Sequence, residues 1–372
     1  MLSWRNIPPV AAAVMLLAQP AFSRQSDSPS PLVAVTRWQY HPNRLGAEAH
    51  LQGGAMTAAA GNPAAMVINP ASLASMPDRL SLFVEAGWAS RTDFFRFLNI
   101  NIASQFQPVQ YAGVAWRPLP QLALGVSYHR PTNYDLDLGE IQLRSAFQPA
   151  GTNAVATTKL RRQEHALGVA LATSVNGRFH FGGSVQWRRA SMTDEIPQAW
   201  AEGSDSAWRL AVGALWHYRD WQFGLAAQSH YQATNVLTMR SPAQITERFL
   251  HEEPATFRLG LMTPPLFQRL RLSADAEFKD FKANLPIEKW QFYGGGTLSL
   301  SRQVEVGCGA FTFLKDYSAF VDGPESEIFL TGGARVQLGR FRLTASFLDG
   351  DLLNQNFAGQ RGVNLALGYA MP

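Results

Sequence analysis

The sequence is poor in cysteine, in charge and in long apolar runs. A single cysteine, Cys308, occurs in the 372 residues, which excludes an intramolecular disulfide framework. Charged residues make up only 16% of the chain, below the about 25% of a typical soluble domain. After the leader-like first 25 residues, no apolar run reaches the about 20 residues of a membrane-spanning helix. The chain therefore looks like neither a helical membrane protein nor an ordinary soluble domain.

Signatures of enzymes and of nucleic-acid binding are missing as well. The net charge is only +4 and the Lys and Arg residues are dispersed, which argues against a nucleic-acid partner. No Gly-x-Ser-x-Gly elbow, His-Glu-x-x-His motif, Walker loop or cysteine cluster is present, so we expect no enzyme activity, no cofactor and no metal site. A Ser–His dyad on strands is a less favoured alternative, because the chain has only a few histidines in strand-like segments: His165, His180, His217 and His230.

The first 45 residues have the pattern of an exported protein. Arg5 supplies a positive charge, Ile7 to Ala18 is apolar, and Ala21-Phe22-Ser23 has the small residues that a signal peptidase reads. Residues 1–23 are therefore predicted to be a cleaved signal peptide. The polar, Pro- and Ser-rich stretch that follows predicts a flexible mature N-terminus over residues 24–45.

From residue 80 to residue 372, short segments alternate between apolar and polar residues. Trp208, Leu210 and Trp216 share one face of such a segment, and Arg209 shares the other face with small residues. About fifteen segments of this kind can be counted, and many have the about ten residues that a tilted membrane-crossing strand needs. Since single-chain bacterial barrels have an even number of strands, the pattern predicts an all-β fold, a transmembrane antiparallel β-barrel of about fourteen strands.

The connections between these segments alternate in length. Some are brief, such as Asn176-Gly177, a strong signal for a tight hairpin. Four are predicted to be long, polar loops: Pro131 to Leu160, Ala190 to Asp205, Ala233 to Pro254 and Asp316 to Glu325. Short turns at one end and long loops at the other are typical of outer-membrane barrels. A soluble β-sandwich or lipocalin-like barrel, with the apolar faces inward, is the alternative.

Residues 46–79, which we call the entry segment, have no such alternation and are rich in small residues. The segment contains Gly-Ala at 46–47, Gly-Gly-Ala at 53–55, Thr-Ala at 57–58, Asn-Pro at 62–63 and Asn-Pro-Ala-Ser-Leu at 69–73. This pattern resembles the start of the long-chain fatty-acid transporter (FadL-like) family of outer-membrane barrels, and it is equally similar to the related PorV/PorQ barrels of the type IX secretion system. Two positions depart from the pattern, Ser72 where Gly is usual and a C-terminal Pro372 where Phe is common.

The resemblance implies that the entry segment folds inside the barrel as a hatch. The residues assigned to it are Gly53, Gly54, Gly61, Asn62, Pro63, Asn69, Pro70 and Ala71. From the residues alone, the Asn-Pro-Ala sequence is equally well explained as a loop before the first strand. A separate set of charges at alternate positions predicts either a charged lumen wall or a cross-strand salt-bridge ladder: Arg271, Asp275, Glu277 and Lys279.

The resemblance also implies a function and a location. A FadL-like barrel takes up hydrophobic, fatty-acid-like molecules by passive diffusion past its hatch. A PorV/PorQ-like barrel binds secreted cargo or translocon proteins instead, and a porin-like anchor without a specific substrate is a third possibility. In each case the chain lies in the bacterial outer membrane, with lipid as a partner.

Overall fold

The computed structural model describes residues 46–372 apart from 60, 62, 91, 96–99, 103, 132, 144–153, 197–198, 240–245, 281–289, 316–324, 351 and 354–360. The predicted signal peptide and flexible N-terminus lie outside the described residues. The described chain begins with a short helix, α1 (Gly46–His50), and two 3₁₀ turns, Pro63–Val67 and Pro70–Ser75. One antiparallel sheet follows, which starts at Leu80.

The sheet contains nineteen strand segments. In chain order they are β1 (Leu80–Ala89), β2 (Thr92–Phe95), β3 (Ile100–Ile102), β4 (Gln105–Leu119), β5 (Leu122–His129), β6 (Asn133–Leu143), β7 (Ala154–Val175), β8 (Phe179–Ile196), β9 (Ala199–Tyr218), β10 (Trp221–Gln228), β11 (Tyr231–Met239), β12 (Thr246–Glu253), β13 (Ala255–Met262), β14 (Leu270–Asp280), β15 (Trp290–Ser299), β16 (Val304–Lys315), β17 (Glu325–Leu338), β18 (Phe341–Asp349) and β19 (Arg361–Met371).

These segments form the wall of a closed, fourteen-stranded antiparallel barrel, as the alternation predicted. β1 pairs with β19, from Leu80 opposite Met371 to Ala89 opposite Gly362, and it pairs with β4 on its other side, which closes the ring. Five wall strands are built from two segments each: β1 with β2, β3 with β4, β5 with β6, β10 with β11, and β12 with β13.

Residues 94–104, which the alternation predicts to be one of the about fifteen segments, do not form a strand of their own. They straddle the hairpin between β2 and β3 and so contain parts of two wall strands. Three of the four predicted long loops are also wrong in their bounds, because β6 and β7, β8 and β9, and β11 and β12 extend through most of them. The four stretches contain many polar residues and were therefore interpreted as loops, although in these three the backbone ladder continues. The fourth predicted loop lies almost entirely outside the described residues.

The brief connections are tight turns, as predicted. Asn176 and Gly177 both have positive φ, 55° and 64°, the conformation that a two-residue hairpin requires. Arg219, with φ 55°, and Gly339, with φ 61°, occupy the corresponding turns between later strands. All of these turns lie at the same end of the barrel, which we call the turn side; the opposite end is the loop side.

The apolar faces of the strands point outward, which makes the soluble alternative wrong. On β9, Trp208 and Trp216 are exposed, whereas Arg209 and Leu215 between them are buried in the interior. Eight residue steps separate the two tryptophans, about 27 Å along the strand and about 21 Å along the axis of a barrel whose strands tilt by about 40°. That height is close to the about 25 Å apolar band of membrane barrels. The free thiol of Cys308 lies on this outer face.

No helix among the described residues is long and apolar enough to cross a membrane.

Two of the five two-segment wall strands are interrupted at a proline on the loop side. Between β5 and β6 the backbone N–H of Arg130 still donates to Gln110 of β4 at 3.0 Å, and the ladder breaks at Pro131, because proline has no backbone N–H to donate. Between β12 and β13 it breaks at Pro254 for the same reason. β4 and β7 continue past the first break, so it is a local gap in one strand of the wall.

Candidate functional site

The entry segment lies inside the closed ring and fills its cross-section. Helix α1 contacts β1 and the strands from β16 to β19, whereas the turn Pro70–Ser75 contacts β5 and the strands from β7 to β9 on the opposite wall. The turn Pro63–Val67 packs against β1, β4 and β5. Leu51, Met66 and Leu73 are at most 2% exposed, so the segment is packed as tightly as the core of a soluble domain.

Glycines of the wall make room for the backbone of the segment. A Cβ at Gly213 would lie 1.8 Å from Asn69 Oδ1, and a Cβ at Gly182 would lie 2.5 Å from the carbonyl carbon of Pro70. On the other side of the lumen, a Cβ at Gly307 would lie 2.3 Å from the carbonyl oxygen of Leu51. These distances are far below van der Waals contact, so the segment and the wall fit only because these wall positions lack side chains.

The Asn-Pro-Ala sequence forms a capped turn against the wall. Asn69 Oδ1 accepts a hydrogen bond of 3.1 Å from the backbone N–H of Ala71, and Pro70 presets the φ of the first turn residue. The Asn69 amide nitrogen donates to the carbonyl oxygen of Thr57 at 2.7 Å and to that of Ala214 on β9 at 3.2 Å. Asn69 thus joins two parts of the entry segment to each other and to the wall.

Asp275 of β14 holds the middle of the segment. Its Oδ2 accepts hydrogen bonds from the backbone N–H of Thr57 at 2.8 Å and from the hydroxyl of Thr57 at 2.7 Å. Asp275 is 4% exposed, so water does not compete for these bonds. Gly224 and Gly260 on neighbouring strands leave space for Thr57 and Ala58 beside the carboxylate.

Helix α1 is anchored by charge. Glu48 forms an ion pair of 2.8 Å with Arg335 and accepts a hydrogen bond of 2.6 Å from the hydroxyl of Thr344. Burial raises the pKa of Glu48, but the charges of Arg335 and Arg342 and these hydrogen bonds outweigh it and hold that pKa below its ordinary value. At the same end of the helix, the backbone N–H of Ala47 donates to Glu85 at 2.8 Å.

The segment separates two cavities. The first, on the turn side, has a volume of about 310 Å³ and is lined by Gln52, Arg271 and turn residues such as Pro265. The second, on the loop side, has a volume of about 90 Å³. Its lining combines apolar side chains of the entry segment with wall residues and the strand break at Arg130–Pro131. Asp275 lies at the level of the barrier between the two cavities.

The four predicted charged residues of β14 lie at different levels between the turn side and the loop side of the lumen. Arg271 lines the turn-side cavity, Asp275 binds the entry segment, and Glu277 lines the loop-side cavity. Glu277 pairs at 2.5 Å with Arg258, the residue directly opposite on β13, and accepts a hydrogen bond from Tyr293. Lys279 lies 4.0 Å from Glu277. The salt-bridge interpretation therefore fits Glu277 and Lys279, but Asp275 has a separate contact that the strand pattern does not reveal.

The remaining residues predicted from the resemblance have conformational roles. Gly53, Gly54 and Gly61 have φ of 62°, 83° and 78°, which glycine adopts without strain. The carbonyl oxygen of Pro63 accepts a hydrogen bond of 2.8 Å from the hydroxyl of Tyr111 on β4. Asn62 lies outside the described residues.

A buried charge network above the segment was missed in the sequence. Arg188 forms ion pairs with Glu253 at 2.9 Å and with Glu164 at 3.3 Å, and Arg209 also contacts Glu253. The Arg188 guanidinium lies 5.2 Å from the ring centre of Tyr231. Arg188 and Arg209 stand on the polar face that the alternation identifies, but Glu253 falls in a stretch predicted to be a loop, so no sequence signal paired them.

Among the described residues, no group of three or more His, Cys, Asp or Glu side chains is placed to hold a metal ion. The contacts that hold the entry segment across the lumen are hydrogen bonds and ion pairs.

No family model and no curated protein matches the chain. Solved structures do. The toluene transporter TbuX from Ralstonia pickettii superposes with a TM-score of 0.66 at 15% identity, over 88% of this chain and 98% of that chain. The toluene transporter TodX from Pseudomonas putida gives 0.62 at 12% identity, over 87% and 97%. A Pseudomonas aeruginosa FadL homologue gives 0.62 at 13% identity, over 88% and 98%. The resemblance predicted from the sequence is confirmed at the level of the fold: the chain is a fourteen-stranded barrel of the FadL type.

Proposed function

We propose that the protein lies in the bacterial outer membrane and lets small hydrophobic molecules diffuse passively through its lumen, with the entry segment as the hatch. The observation that carries this proposal is the position of the segment: it crosses a closed ring and divides the lumen into two cavities. A barrel sealed in this way conducts nothing until the segment moves. The outward apolar band and the leader-like residues 1–23 support the location, and the named functions of TbuX and TodX support the kind of molecule.

The size of the loop-side cavity supports a moving hatch. Its volume is about 90 Å³, whereas a cavity of about 150 Å³ is known to hold benzene. Even a one-ring hydrocarbon therefore needs displacement of Ala64, Val67 or Ile68, the segment residues that line the cavity. Burial of the solute against these apolar side chains, at about 0.8 kcal/mol per CH₂, favours its capture from water.

The secretion alternative has no support from the structural comparisons, since the solved structures named above are transporters and a FadL homologue.

The hatch is tested by locking it reversibly. In a Cys308→Ser background, Thr57→Cys and Asp275→Cys are joined directly in a disulfide by an oxidising reagent, and a reductant cleaves it; the native side chains are in contact, with 2.7 Å between Thr57 Oγ1 and Asp275 Oδ2. Uptake of radiolabelled toluene and oleate is then measured in an outer-membrane strain without other hydrophobic channels. We expect uptake to fall to the level of cells without the barrel and to return on reduction. The single-cysteine variants, treated with the same reagent, are the control.

Undiminished uptake through the cross-linked barrel would contradict hatch gating. The solute would then leave the loop-side cavity sideways, through the gap at Arg130–Pro131 that borders this cavity, without passing the entry segment. Uptake of neither solute by the reduced barrel, with co-purification of a large partner, would favour the secretion alternative instead.

A further inference from the structure

Two histidines, one buried and one half-buried, face each other in the lumen on the turn side. His180 lies on β8 and His217 on β9, in diagonal register, since Leu215 is the residue directly opposite His180. Their ring centres are 4.7 Å apart and the ring planes are inclined by 56°. His180 is only 4% exposed. Neither residue contacts the entry segment through a hydrogen bond, so the hatch does not explain the pair.

Three of their four ring nitrogens have no hydrogen-bond partner among the described residues. Among the described residues, neither ring nitrogen of His180 has a hydrogen-bond partner, and the same is true of Nε2 of His217. A fourth such atom lies on the next strand: Gln222 of β10 stands directly opposite His217, and its side-chain oxygen is also buried and has no partner among the described residues. Buried polar groups are normally paired, and these three residues stand on adjacent strands, so one ligand can contact all three.

The arrangement has the chemistry and spacing of a metal site. Imidazole nitrogen is a favoured ligand of Zn²⁺, Cu²⁺ and Ni²⁺. Two imidazoles on one tetrahedral zinc, each with a Zn–N distance of about 2.0–2.1 Å, place their ring centres about 5 Å apart. The observed separation of 4.7 Å is within reach of that value by small rotations of the side chains. Because the ligands come from three strands, no sequence motif marks them.

The site has an entrance. His217 and Gln222 line a cavity of about 260 Å³ that opens at the turn side, together with Asp220, Arg219 and Arg271. Asp220 attracts a cation to the mouth, whereas the two arginines oppose it. Arg219 lies over the ring of Tyr218, 5.5 Å from its centre. A divalent ion therefore has access, with an affinity below that of a structural site with four protein ligands.

We propose that His180 and His217, with Gln222 as a third ligand, bind a divalent transition-metal ion at the turn-side mouth of the lumen. This inference does not depend on the proposed transport function, since it concerns binding by the folded barrel alone. An ion held there would connect β8, β9 and β10 just below the turn Pro70–Ser75 that packs against β8 and β9.

The test is Cu²⁺ binding to the untagged, detergent-solubilised barrel, followed by electron paramagnetic resonance and pulsed measurements that count coordinated imidazoles. We expect one Cu²⁺ per barrel with two imidazole nitrogens. His180→Ala and His217→Ala should each leave one imidazole and weaken binding at least tenfold, and the double variant should leave none. Zn²⁺ should compete for the same site in the wild-type protein.

The matched control is His165→Ala, which removes a histidine from the outer face, where it bonds to Tyr128 at 2.7 Å. This variant should keep the two-imidazole signal. If an alanine variant fails to fold, as judged by its heat-dependent electrophoretic migration, His180→Gln and His217→Gln replace it with side chains of similar size. A two-imidazole signal that persists in the double variant, or that survives unfolding of the wild-type barrel, would overturn the proposal, as would failure of the wild-type barrel to bind Cu²⁺ stoichiometrically.

Discussion

Removal of the Asp275 carboxylate should release the middle of the entry segment. Two hydrogen bonds end on its Oδ2, from the N–H of Thr57 at 2.8 Å and from the Thr57 hydroxyl at 2.7 Å. Bonds to a charged group contribute about 1.5–3 kcal/mol each, and because the two share one oxygen their sum is not additive. We therefore expect Asp275→Ala to destabilise the closed position of the segment by about 3 kcal/mol, which raises the population of the open segment about 150-fold at 1.36 kcal/mol per tenfold change.

The assay is hydrogen exchange of the backbone amides of residues 55–59, read by mass spectrometry on the barrel in detergent. Asp275→Ala should speed exchange in these residues by about two orders of magnitude, while the amides of the wall strands keep their protection, and toluene uptake should rise. Asp275→Asn retains an acceptor oxygen and should have a smaller effect.

Glu277→Gln is the matched control, because it changes a carboxylate on the same face of β14 that is bonded to the wall residues Arg258 and Tyr293. It should leave exchange at residues 55–59 unchanged. Equal exchange in Asp275→Ala and the wild type, or equal acceleration by Glu277→Gln, would refute the assignment of Asp275 as an anchor of the segment.

Three further outcomes follow from the packing and charge of the lumen and from the outer face. Gly213→Ala places a Cβ 1.8 Å from Asn69 Oδ1 and should destabilise the closed position of the entry segment by about 1–3 kcal/mol. Gly183→Ala, whose Cβ meets nothing closer than 3.8 Å, is the control and should be tolerated. Hydrogen exchange of the backbone amides of residues 69–74 distinguishes the two variants. Because the pKa of Glu48 is lowered in the folded state, its contribution is fully present above its ordinary value of 4.5 and is lost as the pH falls through the lowered pKa, so acid should loosen α1 in limited proteolysis. Glu48→Gln should be loose already at neutral pH, and an unchanged acid profile in this variant would contradict the assignment. Leu171 is exposed on the outer face. Leu171→Arg should lower the free energy of unfolding by about 2–4 kcal/mol, and Leu171→Ala should lower it much less, as measured by urea titration of the barrel in lipid vesicles.

Much of the wall was predictable because a membrane barrel repeats one local rule. Successive side chains of a strand alternate between lipid and lumen. The outward position of Trp208 and the inward position of Arg209 therefore follow from the local sequence, without knowledge of which strands lie beside them. The turns were predictable for a similar reason, since Asn176-Gly177 encodes a backbone conformation within two residues. The loop-side parts of the long strands were missed because stretches such as residues 131–160 contain many polar residues and were interpreted as loops.

The contacts of the site were far less predictable. The position of Asp275 on a polar strand face can be read from the sequence, but its partner Thr57 is separated from it by 218 residues. The same holds for Arg335 and Glu48, and for the meeting of Arg188 with Glu253. His180 and His217 were visible only as two of several histidines in strands.

The sequence by itself determined that this chain is an all-β barrel with an apolar outer face and a non-alternating segment before its first strand. These properties depend on local periodicity and composition. Only the tertiary structure decided where that segment lies, which glycines of the wall receive it, and which charges hold it. The physical reason is closure: once β1 pairs with β19, residues far apart along the chain face one another across a narrow lumen, and their contacts are set by the geometry of the ring.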